Sequence, residues 1–458
     1  MAINRRDLLK LGGVTIGTSM LGQALFPLEV KAEGKPKPRG TARNCIFIAL
    51  SGCISPPDTW DFKESRTTPK DFDVQKITSD LYLPKALFPN AHDWGPKVAM
   101  VRSMHARELV HFTGQYHTQT GRALNLALGK EIPAFGTVIA AELESRRRES
   151  DSFPTYVSTS LSKNRVSAIG SGFFGARYAG VDLDPAAVFD VFGAKDSDAM
   201  ETLQRRFRAR AELSKASPVT GPVLGEKGSA FKDFYDTAFS VLNDRRWSNV
   251  FLPAPGDEEY VSDFGKGCLL ARNLLAADAG TRFVYVCDNS PWDHHSYIYD
   301  RTKASNLYTQ CNNFDRNFTK LLKDLEALPG HDAGKTLLDE TLILATSEFG
   351  RVPYLNAAEG RDHYGTCYST LFAGGGVKAG RMMGKTNEDC SETVDLGWSH
   401  KLRPFHDNNV ATIYSALGIV YTKSVQNTPS GRSYQYVQTA PVGGSEFQSN
   451  EPFDELFA

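Results

Sequence analysis

The sequence predicts an α/β fold in which a mostly parallel central sheet is covered by helices on both faces. Two observations support this prediction. Continuous apolar runs such as CIFIAL at 45–50 and TLILA at 341–345 are typical of strands buried on both faces of a parallel sheet. These runs alternate with stretches of helical period, which indicates strand–helix–strand units. With 41% hydrophobic residues in 458, the chain can form a large core.

Residues 1–32 are predicted to be an export signal. Arg5 and Arg6 precede a short apolar stretch, and Val30–Ala32 offers small residues for cleavage. The apolar stretch is shorter than the roughly 20 residues that a membrane span needs. Paired arginines followed by Leu-Leu-Lys predict export through the twin-arginine translocase. We therefore expect a periplasmic or extracellular protein with no membrane span after signal cleavage.

The rest of the chain divides into three predicted regions. Residues 33–43, rich in Pro and Gly, form a linker. Residues 44–424 form the α/β domain, with insertions at about 150–260, and residues 425–458 form a polar, turn-rich tail.

Apolar runs bounded by turn residues define the predicted strands. CIFIAL ends in SGC, RFVYVC ends in DNSPWD, and YSTLFA ends in three glycines. The predicted strands are 45–50, 97–104, 282–287, 341–345 and 368–373.

Apolar residues repeating at helical spacing define the predicted helices. The longest such pattern, at 305–328, places Phe314, Phe318 and Leu325 on one face. The predicted helices are 136–148, 197–215, 229–244, 265–278, 305–328 and 408–419.

Charge and cysteine usage exclude some classes of function. The net charge is −1, which gives no support for binding to nucleic acid. The seven cysteines follow no zinc-finger spacing, so thiolates are not predicted as metal ligands.

Acidic and imidazole side chains gather just after the predicted strands. Asp58 follows CIFIAL, the loop PWDHHSY at 291–297 follows RFVYVCD, and GRDHYG at 360–365 lies after TLILA. Ligands in α/β sheets bind at the carboxyl ends of strands. Oxygen and imidazole ligands suit Zn²⁺ or Mn²⁺, whereas the alternative interpretation is that these loops are polar turns.

Several motifs identify a family resemblance that covers nearly the whole chain. They are RRDLLK, SGCISPPDTWDFK, PWDHHS, LDETLILATSEFGR, GRDHYGTCYSTLFAGGGVKAGRMMG, NVATIYSALGI and SGRSYQYV. The chain resembles the twin-arginine-exported bacterial domain-of-unknown-function family 1501, which is related to the alkaline phosphatase and sulfatase superfamily. The resemblance implies that superfamily's α/β fold.

The resemblance also implies two divalent metal ions, Zn or Mn, in a cleft at the strand ends. One metal would be bound by an aspartate after the first strand and by an Asp-His pair. The other would be bound by an Asp-x-His motif and a late histidine. The implied ligands are Asp58, Asp293, His295, Asp362, His363 and His406.

Enzymes of the superfamily carry a Ser, Thr or formylglycine-forming Cys nucleophile at the start of a helix, often nine residues before Thr-Gly. In this chain the dipeptide is Thr120-Gly121, and His111 stands nine residues earlier. His111 would act as nucleophile, extra metal ligand or general base. Thr113 is the alternative if the register slips by two residues.

Arg351 and Arg361 are candidates for binding an anionic substrate, because guanidinium groups match phosphate and sulfate. The alternative is that each forms a surface or structural ion pair. The leading hypothesis is therefore an exported, metal-dependent hydrolase of phosphate or sulfate esters, acting on a small-molecule or polymer-borne anionic ester. The alternative hypothesis is a non-catalytic exported binding protein that retains the fold.

Overall fold

The computed structural model describes residues 29–32, 36–193, 197–216, 236–241, 243–439 and 449–457. Arg5, Arg6 and most of the predicted signal lie outside these residues, as does half of the predicted helix 229–244. Within the described part, no helix combines the length and the hydropathy that a membrane span requires.

The elements follow the predicted alternation. The described helices are α1 (Ala91–Trp94), α2 (His111–Thr120), α3 (Phe135–Leu143), α4 (Pro185–Gly193), α5 (Ser197–Ala216), α6 (Trp247–Phe251), α7 (Ser262–Ala276), α8 (Leu307–Ala327) and α9 (His406–Ala416). The strands are β1 (Val30–Ala32), β2 (Asn44–Leu50), β3 (Val74–Lys76), β4 (Tyr82–Pro84), β5 (Val98–Met104), β6 (Tyr156–Thr159), β7 (Val181–Leu183), β8 (Phe283–Asp288), β9 (Thr341–Thr346), β10 (Gly350–Arg351), β11 (His363–Tyr364), β12 (Tyr368–Ala373), β13 (Met382–Met383), β14 (Lys385–Thr386), β15 (Thr393–Asp395), β16 (Lys423–Val425) and β17 (Tyr434–Gln435).

The central sheet has eight strands in the order β13-β5-β12-β9-β2-β8-β6-β7. All neighbouring pairs are parallel except those of β12, which runs antiparallel to both β5 and β9. The prediction of a mostly parallel α/β sheet is confirmed.

Helices cover both faces of the sheet, as predicted. Alternate residues of β2 face opposite sides: Ile46 and Ile48 belong to one apolar core, whereas Cys45 and Phe47 belong to the other. Residues of α7 and α8 fill the first core, and residues of α3 and α9 fill the second. All seven residues of β2 are buried, which explains why its sequence is a continuous apolar run.

A small separate sheet joins residues 30–32 to the C-terminal part of the described chain. Val30–Ala32, the last residues of the predicted signal, pairs antiparallel with Lys423–Val425, which in turn pairs with β17. The segment predicted as a polar tail also contributes buried side chains, among them Tyr434, Tyr436, Phe453 and Leu456.

Topology brings the polar loops to one edge of the sheet. β2, β8 and β9 are parallel and end at the same edge. β5 ends there as well, since β5 and β9 are both antiparallel to β12. β12 begins at this edge, so the segment that precedes it, with β11, lies beside the other loops.

Candidate metal centre

Three segments supply the residues of the main polar cluster. His111 is the first residue of α2, which follows β5. Asp293 and His295 lie in the loop after β8, and His363 begins β11, which pairs with β10. One possible ligand atom from each of the four residues lies within 4.8 Å of all the others. We call this group the His111–Asp293–His295–His363 cluster.

The three imidazole rings of the cluster converge on a single carboxylate oxygen. Asp293 Oδ1 lies 3.0 Å from His111 Nε2, 3.1 Å from His295 Nε2 and 3.3 Å from His363 Nε2. The exposed fraction of these side chains rises from His111, which is buried, to His295, which is half-exposed. The cluster is therefore open to solvent on the His295 side.

The opposite nitrogen of each ring fixes its tautomer. His111 Nδ1 donates to Glu348 Oε1 at 2.8 Å, and His295 Nδ1 donates to Asp362 Oδ1 at 2.8 Å. His363 Nδ1 donates to the Leu109 carbonyl at 2.7 Å. With a proton on each Nδ1, a neutral ring presents a lone pair at Nε2. Outer hydrogen bonds of this kind orient histidines that bind metals.

These contacts fit a divalent cation. His295 Nε2 and His363 Nε2 lie 2.9 Å apart, so two lone pairs face each other unless a proton or a cation separates them. His111 Nε2 is buried and has no hydrogen-bond partner, although Asp293 Oδ1 lies 3.0 Å from it. Three imidazoles and one carboxylate form a donor set that suits Zn²⁺.

Neighbouring charges in the cluster stabilise the ionised forms of Asp293 and His111. Burial alone would raise the pKa of Asp293, but contacts from His111, His363 and Arg351 hold it well below the ordinary value. Burial alone would lower the pKa of His111, but the carboxylates of Asp293 and Glu348 raise it. Asp293 is therefore ionised, as a carboxylate must be to bind a metal cation.

Glu348 anchors the buried side of the cluster. Besides His111, its Oε1 accepts from the Gly52 amide at 3.0 Å and from Gln115 Nε2 at 3.3 Å. α2 comes close enough for this contact because residue 114 is glycine: a Cβ at Gly114 would lie 2.8 Å from Glu348 Cβ.

Cys53 lies against the same carboxylate. Its Sγ, a nitrogen of His111 and an oxygen of Glu348 lie within 4.8 Å of one another. Cys53 is fully buried, and this burial raises the pKa of its thiol well above the ordinary value. The thiol is therefore neutral at physiological pH.

The two arginines predicted to bind substrate are buried and engaged with protein groups. Arg351 Nη2 donates to Asp293 Oδ1 at 2.6 Å, and its Nη1 donates to the Arg361 carbonyl at 2.9 Å. Arg361 binds Asp58 through Nε at 2.7 Å and Nη2 at 2.9 Å. Arg351 thus supports a cluster carboxylate, and Arg361 forms a buried ion pair.

Asp58 is satisfied entirely by protein groups. Apart from Arg361, it accepts from Ser55 Oγ at 2.6 Å and Tyr299 Oη at 2.7 Å. Among the described residues, the groups of possible metal ligands do not include Asp58. Asp362, also predicted as a ligand, instead orients His295 from outside the cluster.

His406 lies in a different buried group. It packs edge-on against His117, with ring centroids 5.6 Å apart, and burial lowers its pKa to about 3. His117 donates to Glu108 at 2.8 Å and to Asp407 at 3.0 Å. Burial alone would lower the pKa of His117, but these two carboxylates raise it to about 10.

The hydroxyl of Thr113, the alternative nucleophile, is hydrogen-bonded to the backbone. Its Oγ1 donates to the Val110 carbonyl at 3.0 Å, one turn back along the chain. The structure brings His111 into the cluster and leaves the Thr113 hydroxyl with a backbone partner.

The sequence prediction did not include Arg165, which lies at the open side of the cluster. Its side chain is 61% exposed, and Nη2 lies 3.3 Å from Asp293 Oδ2. Its backbone amide donates to Gln115 Oε1, which ties this loop to α2. Arg165 belongs to no predicted strand end or motif, so the sequence held no signal for it.

The family comparison agrees with the motifs in the sequence. A family model described as a protein of unknown function, DUF1501, matches residues 42–442. No curated protein matches the chain.

The chain is also similar to several solved structures. They include the lipoteichoic acid synthase LtaP from Listeria monocytogenes (9% identity, 85% of this chain and 76% of that chain, TM-score 0.36). Another is a protein in the alkaline phosphatase superfamily from Vibrio parahaemolyticus (11%, 91% and 76%, 0.35). A third is the C-terminal periplasmic domain of EcEptC from Escherichia coli in complex with Zn (10%, 95% and 99%, 0.38).

Proposed function

The chain belongs to the DUF1501 family, as its motifs predict, and from that premise we propose that it is a metal-dependent hydrolase of phosphate or sulfate esters. The observation that carries the proposal is the convergence of three Nε2 atoms on Asp293 Oδ1. His111, Asp293, His295 and His363 would hold the cation. A bound Zn²⁺ or Mn²⁺ supplies charge stabilisation at the ester oxygens and lowers the pKa of bound water.

The proposed number of cations is one per chain. The resemblance to the superfamily implies two, but Asp58 is paired with Arg361 and His406 belongs to the group around His117. The second possible ligand group, with Cys53 and Glu348, shares His111 with the first. Glu348 is already the acceptor for His111 Nδ1, so it orients the ring.

Arg165 is the proposed contact for the anionic part of the substrate. Arg351 and Arg361 are buried and bonded to protein acceptors, whereas Arg165 is exposed beside Asp293. A guanidinium group forms paired hydrogen bonds to phosphate or sulfate oxygens. We place the anion between Arg165 and the open side of the cluster.

Water is the proposed nucleophile. His111 has one nitrogen bonded to Glu348 and the other turned to the cluster, so it acts as a ligand. The Thr113 hydroxyl has the Val110 carbonyl as its partner. A water oxygen would form the new bond to phosphorus or sulfur, the bond to the alcohol oxygen would break, and the alcohol would leave with a proton.

Export is also part of the proposal. Arg5, Arg6 and the short apolar stretch after them favour the twin-arginine translocase and a periplasmic or extracellular location. Fusion of residues 1–32 to a reporter that functions only outside the cytoplasm tests this. A reporter that stays inactive with Arg5 and Arg6 intact would contradict the prediction.

The test of function is turnover by the metal-loaded protein. The purified chain, dialysed against chelator and reloaded with Zn²⁺ or Mn²⁺, is expected to hydrolyse an aryl phosphate or aryl sulfate, and the chelated chain is expected to be inactive. Metal binding with no turnover of a broad ester panel would favour the non-catalytic binding protein instead. No metal binding would overturn both the site and the hydrolase.

A further inference from the structure

Large apolar side chains are exposed beside the cluster. The described residues include twelve exposed large apolar side chains, and four of them lie within two positions of a cluster ligand. Leu109, Val110 and Phe112 flank His111, and Tyr297 follows His295. Leu109, Val110 and Phe112 have exposed fractions of 49%, 61% and 47%. We call these three residues the apolar rim.

The position of the rim is fixed by contacts with the cluster. The Leu109 carbonyl accepts from His363 Nδ1 at 2.7 Å. The Leu109 side chain lies over the glycine two residues after His363, because a Cβ at Gly365 would come within 3.2 Å of Leu109 Cδ2. Val110 occupies the N-cap position of α2, and Phe112 is the second residue of that helix. The rim is thus built into the segments that orient two of the ligands.

Resting on the function proposed above, we infer that the rim binds the apolar alcohol part of the ester, so the substrates are anionic esters of aliphatic or aromatic alcohols. Exposed apolar groups in contact with water are costly, and such patches mark binding sites. If Arg165 and the cluster bind the phosphate or sulfate group of an ester, the alcohol part of that ester lies beside the cluster. The rim, whose residues adjoin His111 in sequence, would offer that part exposed apolar side chains.

The occupant is a single ester molecule and not a bilayer surface. Binding to an anionic bilayer needs basic residues around the apolar groups. Here the neighbouring Asp362 side chain is 54% exposed, Asp293 is 28% exposed, and the chain has a net charge of −1. Such acidic groups repel an anionic bilayer, whereas a single small anion can still pair with Arg165 and the bound cation.

Alkylphosphonates test the inference because their P–C bond resists hydrolysis. The Zn-loaded protein is titrated calorimetrically with methyl-, butyl- and octylphosphonate below their aggregation limits. This measures how affinity depends on the length of the alkyl chain. We expect affinity to rise about twofold per methylene, since full burial of a methylene gives about fourfold. Val110→Ser and Phe112→Ser are expected to flatten this dependence, with Zn content and affinity for inorganic phosphate unchanged.

Leu126→Ser provides the matched control, because Leu126 is 85% exposed and lies outside the segments that carry the cluster. This variant should keep the wild-type dependence of affinity on alkyl chain length.

Equal affinities for all three phosphonates, or a dependence on alkyl chain length that survives in Phe112→Ser, would overturn the rim inference alone. Loss of self-association in Phe112→Ser without any dependence on chain length would identify a second copy of the chain as the occupant. Sedimentation with phosphatidic acid vesicles but no response to butylphosphonate would identify a bilayer. Failure of the Zn-loaded chain to bind even inorganic phosphate would overturn the proposed function as well.

Discussion

The Nε2 atoms of His295 and His363 face each other across 2.9 Å, although the two rings come from different loops of the sheet edge. Each ring is held from behind, His295 by Asp362 and His363 by the Leu109 carbonyl. The protein therefore keeps the lone pairs of the two Nε2 atoms close together. Neither ring can turn unless its outer hydrogen bond breaks. A shared positive charge relieves this repulsion.

The first prediction concerns metal content. His363→Ala removes one ligand and should lower Zn²⁺ affinity by at least the roughly 10–100-fold that loss of an outer hydrogen bond costs. Mass spectrometry of the dialysed protein and the rise of Tm on Zn²⁺ addition measure this. His92→Ala, at an exposed position on α1, serves as the control. Wild-type Zn²⁺ affinity in His363→Ala would refute the cluster.

The second prediction concerns the anion. Arg165→Gln removes the exposed guanidinium beside Asp293 and should weaken binding of inorganic phosphate to the Zn-loaded chain by about tenfold to a hundredfold. Zn content should not change. Arg177→Gln removes another exposed arginine, paired with Glu144, and should leave phosphate affinity as it was. The role of Arg165 is excluded if the two variants bind phosphate equally well.

The third prediction separates a structural role of Asp58 from a metal-binding role. Asp58→Ala leaves the buried Arg361 guanidinium unpaired and should lower the free energy of unfolding by about 3–5 kcal/mol. Asp93→Ala breaks the exposed pair with Lys323 and should cost at most about 1 kcal/mol. Denaturant titration gives both values. An Asp58→Ala protein that keeps its stability but loses its metal would show that Asp58 is a ligand.

The fourth prediction concerns pH. The pKa of His117 is raised to about 10 by Glu108 and Asp407. A raised folded pKa gives stability that is fully present below the unfolded pKa of about 6.5 and is lost as pH rises toward 10. The free energy of unfolding should therefore fall over this window by more than about 1.4 kcal/mol, the equivalent of one pKa unit.

The neutral variant His117→Gln should lose this pH dependence, which denaturant titrations at pH 6.5, 8 and 9.5 would show as a shallower slope. Arg107 and the neutral His406 also face this group, but neither changes charge in the window. Parallel slopes for wild type and variant would mean that His117 does not carry the effect.

The fold prediction is confirmed, whereas the ligand set stays a prediction, three of whose six residues lie together in the cluster. Buried parallel strands are continuous apolar runs, so β2, β8 and β9 were located to within a residue or two. Strand direction is less visible: β12 has the same apolar character, yet it is antiparallel to its neighbours. Direction depends on the connection before the strand, and the segment from β10 to β11 carries no pattern that reveals it.

The sequence predicted the location of the site, at the carboxyl ends of the strands, more fully than its set of ligands. A loop after a strand reliably lies at the sheet edge, and Asp293, His295 and His363 do meet there. The partner of a buried carboxylate is a long-range property: Asp58 and Arg361 are 303 residues apart in sequence. No local spacing distinguishes an aspartate that binds a metal from one that binds an arginine.

The distribution of the ligands along the chain has a consequence for unfolding. All seven cysteines are free, so no disulfide joins the distant parts of the described fold. Yet the ligands come from three segments, and 68 residues separate His295 from His363. A cation that binds them only in the folded chain would hold these segments together and raise the free energy of unfolding. Stripping the ion would then lower the stability of the native state as well as remove the chemistry.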